Sequence, residues 1–283
     1  MKLSVYIPVL KRDGLYERCR ASIERSIEFA RREGTSLPPD EFEIVAVEGV
    51  SPLAEARNEG VRRTTGDWIA TVDADDEVTE DWFAEIVRAI GRAEAGSEAV
   101  DDIVFDMTFV RGSRENVTVY GRKTIVDGKT LVEDVLRDVR IGSHTPRHVM
   151  NRRLFAGVNY ERVPVLEDYV TMPRLMARVR NALYVAKPLY RYIIRENSLS
   201  TGTNGLTILD IAKRRHAEYG RPAEISGCLL AYNCLYDCAD AAGEARRWIR
   251  RHLRAALTDG EVPVKWKLKF VLASLGIMIR RPK

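Results

Sequence analysis

The sequence predicts an α/β fold, with a mixed central sheet followed by a helical C-terminal region. Three observations predict it: a strand–helix–strand opening, an alternating hairpin near the middle of the chain, and a mainly helical pattern after it.

Leu3 to Val9 is a short continuous apolar run, and Leu15, Cys19, Ile23 and Ile27 follow at four-residue spacing on one helical face. A proline-marked loop at Pro38 and Pro39 leads into a second apolar run, Phe42 to Val47. This βαβ character predicts parallel pairing with a right-handed crossover. The polar segment from Ser51 to Asp67 reads as a short helix ending near Gly66, and Trp68 to Val72 as a third buried strand. After it, Thr79 is the expected N-cap of a helix whose buried stripe is Trp82, Phe83, Ile86, Val87 and Ile90. Ile103, Phe105, Met107 and Phe109 alternate with Val104, Asp106 and Thr108, and a turn around Gly112 to Asn116 joins them to a second strand, so the sheet becomes mixed. From about Thr130 the pattern is helix, loop, a helix starting near Glu167, a strand through Ala182 to Tyr192, and a polar loop. The glycine- and threonine-rich stretch near Thr201 to Gly205 marks a boundary, giving a domain over 1–204 and a helical region over 205–283.

At 283 residues, 45% hydrophobic and 30% charged, the chain suits one large domain with an appendage. A net charge of +4 is mild for this length, so no nucleic-acid partner is expected. The N-terminal apolar run is too short for a signal segment, and the apolar stretch Phe270 to Ile279 is about half of a membrane span. The expected location is cytoplasmic. Cys19, Cys228, Cys234 and Cys238 then read as reduced thiols packed in the core, since no matching pair completes a zinc set.

The chemistry concentrates in Asp73, Asp75 and Asp76, which follow a buried strand. Open α/β sheets bind ligands at the carboxyl ends of their strands, and three acids there call for a cation. A hard ion, Mn²⁺ or Mg²⁺, takes one or two carboxylates plus phosphate oxygens, which suits a metal–diphosphate site. Other acidic loops fail on spacing. An EF-hand from Asp73 needs glycine at Val78 and an acid at Ala84; a phosphatase-type motif needs threonine where Glu77 stands; Gly128-Lys129-Thr130 lacks the first glycine of a phosphate loop, Lys123 occupying its place.

In chain order come Ser4 to Pro8, Ala56-Arg57-Asn58-Glu59-Gly60, Gly66-Asp67-Trp68-Ile69, Asp73-Ala74-Asp75-Asp76, Glu167-Asp168, and a tyrosine-rich strand leading to Arg195 and Ser198. This series resembles the family 2-type inverting nucleotide-sugar glycosyltransferases. The resemblance implies a GT-A fold, a Rossmann-like three-layer α/β/α sandwich, with a nucleotide-sugar-binding half over about 1–110 and an acceptor-binding half over about 111–204. It departs from the family at Val47-Glu48-Gly49-Val50-Ser51, where an aspartate usually contacts the base, and in a shortened connection to Ala56.

By resemblance, Asp168 is the base that activates an acceptor hydroxyl, and Glu167 positions acceptor or base. Asp75 and Asp76 are the metal ligands. Pro8, Glu48, Arg57, Asn58, Asp73, Asp76, Arg195 and Ser198 line the donor, with Glu48 replacing the base-contacting aspartate. His144 and His148 lie where the acceptor pocket forms. The implied partners are a nucleotide-diphosphate sugar, a UDP-sugar favoured, and a hydroxyl acceptor on a glycan or lipid-linked molecule. The altered donor segment motivates an alternative, a nucleotide-sugar-binding sensor or scaffold without turnover. A nucleotidyltransferase would need an N-terminal glycine-rich basic signature, which the sequence lacks.

Lys265, Trp266, Lys267 and Lys269 precede the final apolar run, and Arg280, Arg281 and Lys283 follow it. Two readings stay open for 264–283: peripheral contact with an anionic membrane face, or a terminal helix packed on the protein with solvated lysines.

Overall fold

The apolar run Leu3–Val9 forms β1, buried along all of its length. The structure, a computed structural model, describes residues 2–35, 37, 38, 40–195 and 204–277. After β1 come α1 (Gly14–Arg32), β2 (Phe42–Glu48), α2 (Leu53–Arg63), β3 (Trp68–Thr71), β4 (Glu77–Val78), α3 (Trp82–Ala95), β5 (Val100–Arg111), β6 (Arg114–Thr118), β7 (Ile125–Asp127), α4 (Gly128–Arg137), β8 (His148–Asn151), α5 (Glu167–Met176) and β9 (Asn181–Ile193). Four further helices follow: α6 (Gly205–Tyr219), α7 (Arg221–Asp237), α8 (Ala242–Thr258) and α9 (Val264–Ser274). The chain divides into two compact units: Met1–Leu131, His144–Val163 and Glu167–Arg195 in one, and Val132–Ser143, Pro164–Leu166 and Glu196–Lys283 in the other.

The first unit is a mixed sheet in the order β2-β1-β3-β8-β5-β9-β4, with β6 added on β5 and β7 on β9. β1 runs parallel to β2 and β3, as a βαβ opening requires, while β8 is antiparallel to both β3 and β5. Strand periodicity divides β1 between two faces. Leu3, Val5, Ile7 and Val9 join Tyr16, Cys19 and Ile23 of α1 and Trp82, Phe83 and Ile86 of α3 in one core. Tyr6 points the other way, against α2, where a Cβ on Gly60 would come within 2.3 Å of its ring. Helices therefore cover both faces, the three-layer arrangement expected from the sequence.

Two expectations need correction. The N-cap of α3 is Asp81, not Thr79, because the Thr79 hydroxyl is engaged by Asp81 Oδ1 at 2.8 Å and the Leu189 carbonyl at 3.3 Å. The hairpin turn is tighter than 112–116, since β6 already begins at Arg114. In β5, Asp102, Asp106 and Thr108 are buried like their apolar neighbours. Partners make that burial tolerable. Asp102 Oδ2 lies 2.8 Å from His148 Nδ1, and Asp106 accepts from the Tyr184 hydroxyl at 2.9 Å and the Tyr120 amide at 2.8 Å.

The second unit is helical. Leu209, Ile225, Cys228, Leu229, Trp248, Ile249 and Phe270 form its core. A Cβ on Gly227 would meet the Trp248 ring at 2.7 Å, so this glycine lets α7 and α8 approach closely. All four cysteines are free and buried, and burial pushes the Cys228 thiol up to about 12, which keeps it protonated. α9 buries Phe270 and Ala273 and exposes Val264, Leu268 and Leu275. Among the described residues no helix is long and apolar enough to cross a membrane.

Candidate functional site

β3 ends at Thr71, and the chain passes through buried Val72 into the turn Asp73-Ala74-Asp75-Asp76 before β4. This turn leaves the carboxyl edge of the parallel strands β1, β2 and β3. Pro8 lies at the same edge, buried and in register with Val47, and Glu48 ends β2, where its half-exposed carboxylate pairs with Arg12 at 3.0 Å.

Arg57 organises the cluster. It sits on the sheet-facing side of α2 and is 2% exposed. Its Nη1 lies 3.1 Å from Asp73 Oδ1 and its Nη2 3.2 Å from Asp73 Oδ2, a two-pronged pair, while Nε donates to Glu167 Oε1 at 2.8 Å. Burial alone would lower the guanidinium pKa, but Asp73 and Glu167 raise it well above its ordinary value, so the cation persists. A single buried arginine thus joins the strand-end acids to the acid pair of α5, 110 residues further along.

Burial raises the Asp73 carboxyl, Arg57 opposes that shift, and the Asp75 charge adds to it. Asp76 is 2% exposed, and burial followed by the Asp73 and Asp75 charges pushes its carboxyl well above the usual range. Both of its oxygens are engaged: Oδ2 accepts from the Tyr190 hydroxyl at 2.8 Å and Oδ1 from the Ile193 amide at 2.7 Å. Asp76 thus fastens the turn to β9. Asp75 is the outward member, 37% exposed and paired with Arg195.

Leu166, at φ 59, turns the chain into α5, a left-handed conformation uncommon for an aliphatic residue. Glu167 and Asp168 follow in the first turn. Glu167 is buried against Arg57, whereas Asp168 accepts the Tyr169 amide at 2.7 Å. Burial, then the neighbouring Glu167 charge, raises the Asp168 carboxyl to about 8 against the opposing pull of Arg57. A carboxylate poised in this way suits a general base.

The two histidines part company. His144 is half-buried, with Phe109 at 5.5 Å and Tyr192 at 5.8 Å between ring centroids, and burial lowers its pKa to about 4, leaving it neutral. His148 is 0% exposed and held by Asp102 inside the sheet, so the expected acceptor contact has no surface from which to be made. Asn58 is likewise committed elsewhere: its Nδ2 donates to the Tyr160 carbonyl at 3.0 Å and its Oδ1 accepts the Tyr160 amide at 2.7 Å. Ser198 lies outside the described residues.

Sequence reasoning passed over Tyr190. Its hydroxyl donates to Asp76 and accepts the Asp73 amide at 3.1 Å, so it shapes the turn from both ends. The signal was present in the strand period, which puts Tyr190 and Tyr192 on one face of β9.

Residues 39–130 match the family model described as Glycosyl transferase family 2. No curated protein matches the chain significantly. S. aureus TarS 1–349 in complex with UDP-GlcNAc is similar in structure, with a TM-score of 0.62 at 13% identity, covering 97% of this chain and 88% of that one. S. aureus TarS 1–349 gives 0.61 at 12% identity, with 97% and 87% covered. The mannosyltransferase PcManGT from Pyrobaculum calidifontis, in complex with GDP-Man and Mn²⁺, gives 0.50 at 14% identity, with 97% and 86% covered. The chain has the GT-A fold, and its residues 39–130 are similar to glycosyl transferase family 2.

Proposed function

We propose that this protein transfers a sugar from a nucleotide-diphosphate donor, a UDP-sugar by preference, to a hydroxyl of a glycan or lipid-linked acceptor, with inversion at the anomeric carbon. The observation that carries the reading is the Arg57 network, which draws Asp73 and the Glu167-Asp168 pair into one buried assembly. Inverting displacement needs a base on one side of the anomeric carbon and charge neutralisation on the other. The TarS complex with UDP-GlcNAc supports a uridine donor, and the PcManGT complex with GDP-Man and Mn²⁺ supports a divalent ion.

The residues fit such an ion. Asp75 reaches solvent, and Mn²⁺ or Mg²⁺ asks for few protein carboxylates when diphosphate oxygens complete the shell. When bound, the ion would supply Lewis-acid stabilisation of the leaving diphosphate. Asp168 takes the acceptor proton, Glu167 holds its place through Arg57, and Arg195, released from Asp75, pairs with phosphate oxygens. His144 and Tyr192 offer an uncharged aromatic wall suited to a sugar ring. Exposed Val264 and Leu268 beside Lys265 and Lys267 support peripheral contact of α9 with the inner face of a membrane, bringing a lipid-linked acceptor near.

Thermal unfolding with UDP, GDP, dTDP and CMP, each with and without Mn²⁺, tests the donor side, because a ligand of the native state raises the midpoint. A metal-dependent shift with one nucleoside diphosphate is expected. No shift with any of them overturns the reading, and binding with no turnover on any acceptor leaves the sensor alternative in its place.

A further inference from the structure

Two of the chain's four histidines lie outside the carboxylate cluster, in the helical unit. His216 stands in the last turn of α6, Glu224 in the first turn of α7, and His252 in α8. One donor atom from each lies within 4.8 Å of the others. His216 Nε2 is 3.1 Å from Glu224 Oε1, and His252 Nδ1 is 3.6 Å from Glu224 Oε2. A tetrahedral ion with bonds of about 2.0–2.2 Å sets its donor atoms roughly 3.3–3.6 Å apart, so side-chain adjustments of about an ångström bring these three donors into its shell.

The two imidazoles address the two oxygens of one carboxylate, His216 through an ordinary hydrogen bond at 3.1 Å and His252 through a longer, weaker contact at 3.6 Å. The rings are also held in advance. Trp248 lies 4.3 Å from His252 and 5.8 Å from His216 between centroids, and its own position depends on the absence of a side chain at Gly227. Exposure grades from 8% at His252 through 20% at Glu224 to 32% at His216, an enclosed base with a mouth toward solvent.

We propose that His216, Glu224 and His252 form a three-ligand Zn²⁺ site that ties α6, α7 and α8 together, with a fourth position open to water. Two imidazoles and one carboxylate suit a borderline ion, whereas the all-oxygen set around Asp75 suits a hard one. The two sites therefore separate by metal. The inference does not depend on the transfer reaction, since its readout is binding.

Calorimetric titration of the whole chain with Zn²⁺, paired with thermal unfolding, tests the site. The wild type is expected to bind one Zn²⁺ at this site and to gain stability, with Asp75→Ala binding equally well. Glu224→Gln keeps the shape and one hydrogen bond of the side chain, so a loss of binding in it reports ligation and not unfolding; His216→Ala provides a second, more exposed position. Each is expected to weaken Zn²⁺ at least roughly tenfold. A wild type that binds no Zn²⁺, an affinity unchanged in both variants, or an affinity lost in Asp75→Ala instead would each overturn the proposal.

Discussion

In the first unit three acids fall within four residues of one strand end, whereas in the second the ligand-type residues come from three helices over 37 positions, His216 to His252. The crowded cluster is electrostatically costly. Asp73, Asp76 and Asp168 all have raised pKa values, and one buried arginine counters the charge at Asp73 and Asp168. The dispersed cluster carries one carboxylate among aromatic rings. Crowded charge at the edge of a sheet suits the proposed transfer, where charge develops during a reaction; spread residues among packed helices suit the proposed fastening by a metal. The difference teaches where each region should be sensitive.

The largest expected effect is on chemistry. Asp168→Asn should lower transfer by about 10²–10⁴-fold while leaving donor affinity and Zn²⁺ binding in place. Turnover measured alongside nucleotide calorimetry checks it, and a variant that keeps wild-type turnover removes Asp168 from the role of base. Next in size is Arg57→Ala, which strands Asp73 and Glu167 beside each other without their cation and should cost about 3–5 kcal/mol in urea unfolding. Arg57→Lys should recover only part of that, because an ammonium cannot reproduce the fork that reaches both acids. A loss in Arg57→Ala below about 1 kcal/mol would mean that the network is incidental.

The same contrast explains what could be read from the sequence. β1, α1, β2, α5 and β9 announce themselves by period and by flanking turn residues. β8 does not, because four residues carry too little pattern, and its strand character comes from two antiparallel neighbours. The burial of Asp102 and Asp106 has no local mark, because their partners, His148 and Tyr184, are 46 and 78 residues away. Local crowding made the aspartates conspicuous, yet the engagement of Asp76 by Tyr190 and Ile193 spans 114 and 117 residues and has no local mark. The histidine cluster has none either, since its spacings follow from helix packing alone.

Packing around Arg57 supplies a smaller test. Gly60→Ala should cost about 1–3 kcal/mol, because the added methyl meets the Tyr6 ring and pushes α2 away from the sheet. Donor binding should weaken with it, as α2 carries Arg57. Gly227→Ala is the counterpart in the helical unit, with a similar loss of stability and no change in donor binding. Identical donor affinity in both variants would uncouple α2 from the donor site.

The smallest effect is also the most specific. Burial, then Glu167, raises the Asp168 carboxyl from 3.8 to about 8, so the folded protein holds that proton more tightly than the unfolded chain does. The cost of ionising it therefore builds as pH rises from about 4 through about 8, and is absent below that window. Asp168→Asn removes an ionisation penalty that outweighs the attraction of Arg57 lost with it, so it should match the wild type near pH 4 and exceed it by about 1–2 kcal/mol near pH 9. In the wild type, turnover should climb across the same window as the base ionises. Glu167→Gln withdraws one of the charges that raise Asp168, so it should move that climb to lower pH and shrink the stability gained on adding Asp168→Asn. A gain independent of pH would show that Asp168 titrates as an ordinary carboxylate and that the two acids of α5 act separately.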